Sequence, residues 1–272
     1  MMPFARKPRV AFFDFACCEG CQLSILELDE KLFDLLAHVE VVAWREVMSE
    51  ISEEYDIAFC EGSITRQQDI ERIKTIRDKA EIVVSLGTCA SISCHNALKN
   101  KWAMNELLAL VYSEYGEHID TIPARPIADV VNVDYQILGC PVSLPEFETV
   151  FKRILTRQAY TPSNQPVCVE CKRNDILCVH EKGMVCLGPV TRCGCNAICT
   201  AFGDACRGCR GLIDDANLEA PVRALFGEKL HPIMAEVARN NRLTGKEIIA
   251  RFSLYNNTGR VGKGEESSDG TA

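Results

Sequence analysis

Hydrophobic and polar positions in the first 158 residues follow two alternating rhythms. Val10 to Phe15 is a short, continuously apolar run, as in a strand buried on both faces, whereas Leu23 to Leu36 carries Leu and Ile at helical spacing. Val39 to Trp44, Asp56 to Phe59, Ile82 to Leu86 and Asp134 to Leu138 repeat the strand pattern. Helices are predicted over Asp69 to Lys79, over Asn96 to Tyr115 in one piece or two, and from Pro145 to about Arg157. Short apolar strands separated by helices imply a mostly parallel sheet covered on both sides. The expected fold class is α/β, a flavodoxin-like doubly wound parallel sheet over residues 1–158.

This rhythm stops at the polar, turn-rich stretch from Ala159 to Pro166. Residues 159–215 show little periodicity and many glycines, so a domain of low secondary structure is expected there, ordered by something other than an apolar core. A helical tail is expected over residues 216–258. The Gly/Ser/Glu-rich end, 259–272, is expected to be disordered.

Charge and composition exclude several classes. A net charge of −8 argues against a nucleic-acid partner, which needs a basic surface. No run approaches the roughly 18 apolar residues of a membrane span. The first ten residues show neither an apolar signal core nor a twin-arginine pair, so a cytoplasmic location is expected. Sixteen cysteines then stand out, because a disulfide framework is improbable in a reducing compartment and metal or redox chemistry is the alternative.

Four of these thiols follow predicted strands. Cys18 and Cys21 come after the first strand, Cys89 after Ile82–Leu86, and Cys140 after the strand ending at Leu138. The carboxyl ends of parallel strands share one sheet edge, where ligand sites form. Cys18 and Cys21 are at most ~10 Å apart even in extended chain. Gly20, Gly87 and Gly139 would let backbone approach a cluster, and helix N-termini there favour thiolate charge. Buried, hydrophobe-like cysteine explains one such position but poorly explains four. Cys60 fits core packing, Cys17 competes with Cys18 by adjacency, and Cys94 fits a structural or redox-adjusting thiol better than a fifth iron ligand.

Nine further cysteines lie between Cys168 and Cys209: Cys168, Cys171, Cys178, Cys186, Cys193, Cys195, Cys199, Cys206 and Cys209. Eight would complete two four-cysteine sites, and metal binding would supply the missing folding free energy. Structural zinc shares the Cys-x2-Cys element. Three thiolate sites in one chain, however, suit an electron path better than three structural zincs.

With these motifs in hand, the chain resembles the small subunit of nickel–iron hydrogenases over about residues 9–215. The resemblance rests on Cys18-Glu19-Gly20-Cys21-Gln22, Glu61-Gly62-Ser63, Gly87-Thr88-Cys89-Ala90, Gly139-Cys140-Pro141 and Cys186-Leu187-Gly188-Pro189 together. It is greatest towards the delta subunits of cytoplasmic NAD(P)-linked hydrogenases, also called sulfhydrogenases. The resemblance implies three 4Fe–4S clusters: proximal on Cys18, Cys21, Cys89 and Cys140; distal on Cys168, Cys171, Cys178 and Cys186; medial on Cys195, Cys199, Cys206 and Cys209. Cys193 competes with Cys195 for the medial set. Cys168 stands where many membrane-linked relatives carry histidine, and the fourth medial cysteine favours a 4Fe–4S over a 3Fe–4S cluster.

The resemblance further implies a partner large subunit bearing the nickel–iron centre, with no catalytic residue on this chain. Electrons would leave through an iron–sulfur subunit to a flavin subunit that exchanges hydride with NAD(P), and no Gly-x-Gly-x-x-Gly loop occurs here. Glu19 and Glu61 would lie near the large-subunit face, and are read as hydrogen-bonding or solvated carboxylates rather than proton carriers. Alternatives are a hydrogenase coupled to ferredoxin, heterodisulfide reductase or deazaflavin, a quinone-reductase subunit of the complex I type, or a zinc-stabilised interaction protein.

Overall fold

The computed structural model describes residues 4–182, 184 and 186–216. The expected helical tail and disordered end therefore lie outside the described residues, apart from Ala216.

Five strands, β1 (Arg9–Asp14), β2 (Glu40–Trp44), β3 (Ile57–Glu61), β4 (Ile82–Leu86) and β5 (Tyr135–Ile137), form one sheet in the order β2-β1-β3-β4-β5. Every neighbouring pair is parallel. This is the doubly wound, flavodoxin-like order expected from the sequence. β3 and β4 are buried throughout, which explains their continuous apolar runs.

Alternate side chains feed two cores. Val10, Phe12, Ile57, Phe59, Val84 and Leu86 point to the face covered by α1 (Gly20–Leu26), α2 (Glu30–Leu36) and α6 (Leu144–Leu155). There Phe12 stacks on Trp44 at 4.2 Å between ring centroids and on Phe59 at 4.9 Å. Ala11, Ala58, Cys60 and Val83 point to the other face, against Ile73 and Ile76 of α3 (Gln67–Lys79) and Ala90 of α4 (Gly87–Ile92). Cys60 thus sits in core packing.

The predicted helix Leu23–Leu36 is two helices, because Asp29 adopts a φ of 51° between α1 and α2. The predicted segment 96–115 is a 3-10 turn over Cys94–Lys101, then α5 (Met104–Tyr112), then a second 3-10 turn from Ser113. α4 leaves no mark in the hydrophobic pattern; its six residues are too few to establish a period.

Beyond Leu155 no regular element occurs until α7 (Val167–Arg173), and the cysteine-rich segment adds only α8 (Ile198–Ala201) and single turns among the described residues. Its small core is Val167, Val179, Cys186, Ala197, Ala205 and Cys206. Arg210 fastens it to the sheet by donating to the Leu138 carbonyl after β5 and to Glu146 of α6, and the Thr88 hydroxyl of α4 donates to the Cys209 carbonyl.

Candidate metal-cluster sites

The carboxyl ends of β1, β3, β4 and β5 deliver the first group of thiols. β1 leads through Cys17 and Cys18 into α1, β4 runs directly into α4 with Cys89, and β5 leads to Cys140. Glu61, at the end of β3, lies beneath them with 2% exposure. Its carboxylate accepts the backbone N–H groups of Cys21 and Gln22, both at 3.1 Å, tying β3 to the start of α1. Burial nevertheless holds its carboxyl above the usual range. Glu61 is thus a hydrogen-bonded, structural carboxylate in this arrangement.

Cys21, Cys89 and Cys140 are brought together with Cys94. Hydrogen bonding with the thiols of Cys140 and Cys89, followed by burial, pushes the Cys94 thiol up. Conversely, that hydrogen bond is the main cause lowering the Cys89 thiol and bringing Cys140 down to about 7. Cys94 Sγ also lies 3.0 Å from His95 Nδ1. Burial, reinforced by Glu61, pushes the Cys21 thiol strongly up, while the N–H of Val142 donates to its sulfur. Cys17, pushed up to about 12 by burial, interacts with Glu61 and Cys89. Cys18 is exposed at the rim, its sulfur 3.2 Å from where a Cβ on Gly20 would sit. Sequence adjacency leaves Cys17 and Cys18 ambiguous, and here the first of the pair faces the group.

Cys168, Cys171, Cys178 and Cys186 form a second group. Burial pushes Cys168 up to about 11, and Cys186, Cys171 and Cys178 add to that through their charge. Cys186 is buried, and its sulfur accepts the N–H groups of Gly188 at 3.4 Å and Cys206 at 3.3 Å. Gly188 closes over the group, since a Cβ there would stand 3.3 Å from Cys186 Sγ and 3.5 Å from Cys168 Sγ. Cys178 is the exposed member.

Cys195, Cys199, Cys206 and Cys209 line one cavity of about 600 Å³, together with Cys140 and Arg210. Burial pushes the Cys209 thiol up to about 12, and the charges of Cys195, Cys140 and Cys199 add to that. Glu170 of α7 shapes the loop by accepting Gly194 N–H at 2.8 Å and Ala197 N–H at 3.2 Å. Cys193 is buried apart from this lining and bonds through its backbone. Its N–H donates to the Gln165 carbonyl, and its own carbonyl accepts from Arg210 Nε.

These groups suit iron–sulfur clusters in donor chemistry: thiols gathered in sets, backbone N–H groups aimed at sulfur, and a cavity walled by four of them. Residues that sequence reasoning did not single out are Arg210, Glu146, Glu170 and Thr88. The one available cue is the place of Arg210 directly after Cys206-x2-Cys209; the others carry none.

Sheet order, thiols at the carboxyl edge and a cysteine-rich strap define the class of small electron-transfer subunits. The chain belongs to the family described as NADH ubiquinone oxidoreductase, 20 Kd subunit, which matches residues 18–154, and within it is a hydrogenase small subunit. It is 35% identical over 213 residues to the sulfhydrogenase 2 subunit delta of Pyrococcus furiosus, covering 77% of this chain and 89% of that one. It is 33% identical to a vhu-type subunit of the F420-non-reducing hydrogenase of Methanocaldococcus jannaschii, covering 87% and 94%. An actinobacterial-type nickel–iron hydrogenase from Ralstonia eutropha H16 shares the fold, with a TM-score of 0.58 over 92% of this chain and 93% of that one at 15% identity. Among the described residues no helix is long and apolar enough to cross a membrane.

Proposed function

We propose that this chain is the electron-transfer subunit of a cytoplasmic nickel–iron hydrogenase, working with a large subunit that bears the nickel–iron centre and acts on dihydrogen. Three 4Fe–4S clusters would be held by Cys18, Cys21, Cys89 and Cys140, by Cys195, Cys199, Cys206 and Cys209, and by Cys168, Cys171, Cys178 and Cys186. Such clusters supply one-electron transfer. The protein's part is to place them in series and exclude water around them.

One observation carries this reading: the three thiol groups are contiguous. Cys140, in the first group, lines the same cavity as Cys195, Cys199, Cys206 and Cys209. The N–H of Cys206, in the cavity group, donates to the sulfur of Cys186 in the remaining group at 3.3 Å. Structural zinc sites need no such linkage. Anaerobic iron and acid-labile sulfide analysis of the purified complex tests it. Four irons per group with broad visible absorption are expected; zinc in their place and a colourless preparation would overturn it.

For the acceptor we propose an NAD(P)-linked module reached through an iron–sulfur subunit and a flavin subunit. Support comes from a 30% identical NAD-reducing hydrogenase subunit delta of Cupriavidus necator, which matches 54% of this chain. A second reading, a different acceptor, is favoured by the Methanocaldococcus relative, whose match spans more of this chain. Dihydrogen-dependent reduction of NAD(P) by the isolated complex, present or absent, separates the two.

Cys94 also acquires a testable role here. Hydrogen bonds to cluster sulfurs raise the reduction potential, so Cys94→Ala lowers the potential of the cluster at Cys89 and Cys140 while its iron stays bound. An unchanged potential in redox titration followed by EPR removes that role.

A further inference from the structure

Arg210 is 1% exposed, which is unusual for a charge, and nearly all its donors are engaged. Nε donates to the Cys193 carbonyl at 2.9 Å, and Nη1 to the Leu138 carbonyl at 2.6 Å. Nη1 and Nη2 grip the Glu146 carboxylate at 2.5 and 2.7 Å. Glu146 in turn accepts the Tyr160 hydroxyl. Gly194 lies flat on the guanidinium: a Cβ there would stand 2.7 Å from Cζ, so no other residue fits. One side chain therefore binds the end of β5, α6 and the loop between Cys193 and Cys195.

The pair is asymmetric towards the cavity. Arg210 lines it beside Cys195 and Cys209, whereas Glu146 stands behind and is absent from the lining. Burial and the Glu170 charge raise the Cys195 thiol, and the guanidinium works against them, in the direction expected of a cation facing sulfur. A buried ion pair is weak grounds for stability, because well-packed apolar residues often do as well in its place. Two properties that an apolar pair lacks are a fixed charge at the wall and hydrogen bonds to two backbone carbonyls from different parts of the fold.

We propose that Arg210 is a positioning and tuning residue for the cluster in this cavity: it locks the Cys195 loop onto the sheet and, as a fixed cation at the wall, raises that cluster's reduction potential, with Glu146 partly offsetting it. Reduction adds negative charge, and a permanent cation nearby favours the more negative state. The inference rests on the three-cluster reading above and deepens it.

The test uses the complete hydrogenase complex carrying Arg210→Met, Arg210→Lys or Glu146→Gln. Each preparation is analysed for iron and sulfide and titrated potentiometrically with EPR detection. Arg210→Met is expected to shift one cluster's potential down, Arg210→Lys to restore part of the shift, and Glu146→Gln to move the same cluster up. A purely structural role loosens the loop in both cases and gives shifts of one sign, so shifts of one sign, or none, overturn the proposal. If Arg210→Met loses iron, Glu146→Gln decides alone, because it keeps the cation and its carbonyl partners; an unchanged or lowered potential then overturns it. Wild-type complex devoid of iron defeats the three-cluster reading instead, so the two failures are distinct.

Discussion

Cys140→Ala, made together with Cys94→Ala, is expected to reduce dihydrogen-dependent acceptor reduction by more than about a hundredfold, beyond the ten- to hundredfold typical of losing an outer-shell partner. Cys140 belongs to the sheet-edge group, yet it also lines the cavity of Cys195, Cys199, Cys206 and Cys209. Its side chain is thus placed where one group hands over to the next. Cys94 is removed as well because its thiol already touches Cys89 and Cys140 and could take the vacated place. Iron analysis should show one cluster lost and two retained, since the eight thiols proposed for the other two clusters remain untouched. Cys60→Ala is the comparison: that thiol, on β3, is fully buried in the core, so its loss should cost about 1 kcal/mol and no iron. Full iron and an unaltered rate in the Cys140 variant would show that this thiol is no ligand.

Much of this site is legible in the sequence because parallel topology converts sequence order into spatial order. Once the runs at Val10, Ile57, Ile82 and Tyr135 are read as strands of one parallel sheet, the residues after them must share an edge, whatever their separation in sequence. Grouping within the cysteine-rich segment is different. Nothing in periodicity fixes which eight thiols pair into which four, so that division comes from resemblance; Gly188 adjoins Cys186 and Cys168 with Cys206 beside them, and Cys195, Cys199, Cys206 and Cys209 line one cavity with Cys140.

What stays hidden depends on contacts between distant residues. Arg210 and Glu146 meet only after the strap folds back on the sheet, and nothing local in the sequence announces that pairing. Glu170 carries no signal in the sequence, yet it accepts two N–H groups of the loop bearing Cys195. The adjacent pair Cys17 and Cys18 shows the limit most plainly: at a strand end a one-residue shift reverses which side chain faces the edge. Here Cys17 approaches Cys89 and Cys18 faces out. Separate Cys17→Ser and Cys18→Ser variants with iron counts would decide between them, and the proposed ligand set requires loss only in the second.

Gly87→Ala should both destabilise the fold and disturb the thiols at the sheet edge. Gly87 joins β4 to α4 at a φ of +81°, and a Cβ there would overlap the Cys21 sulfur while lying 3.5 Å from the Gly139 carbonyl. Left-handed backbone costs a residue with a side chain roughly 1–2 kcal/mol. Forcing apart a packed contact adds about 1–3 kcal/mol, giving on the order of 2–5 kcal/mol in total. Gly203 separates the two contributions. It has nearly the same φ, +82°, but its Cβ would meet only the end of Lys182 at 3.8 Å. Gly203→Ala should therefore cost only the backbone part and retain every iron. Gly87→Ala should also displace Cys21 and lose the cluster proposed at that edge, detected by EPR and iron content in the intact complex. Equal destabilisation of the two variants with iron retained in both would mean that the space over Cys21 is not needed, and that this sulfur has no cluster to hold.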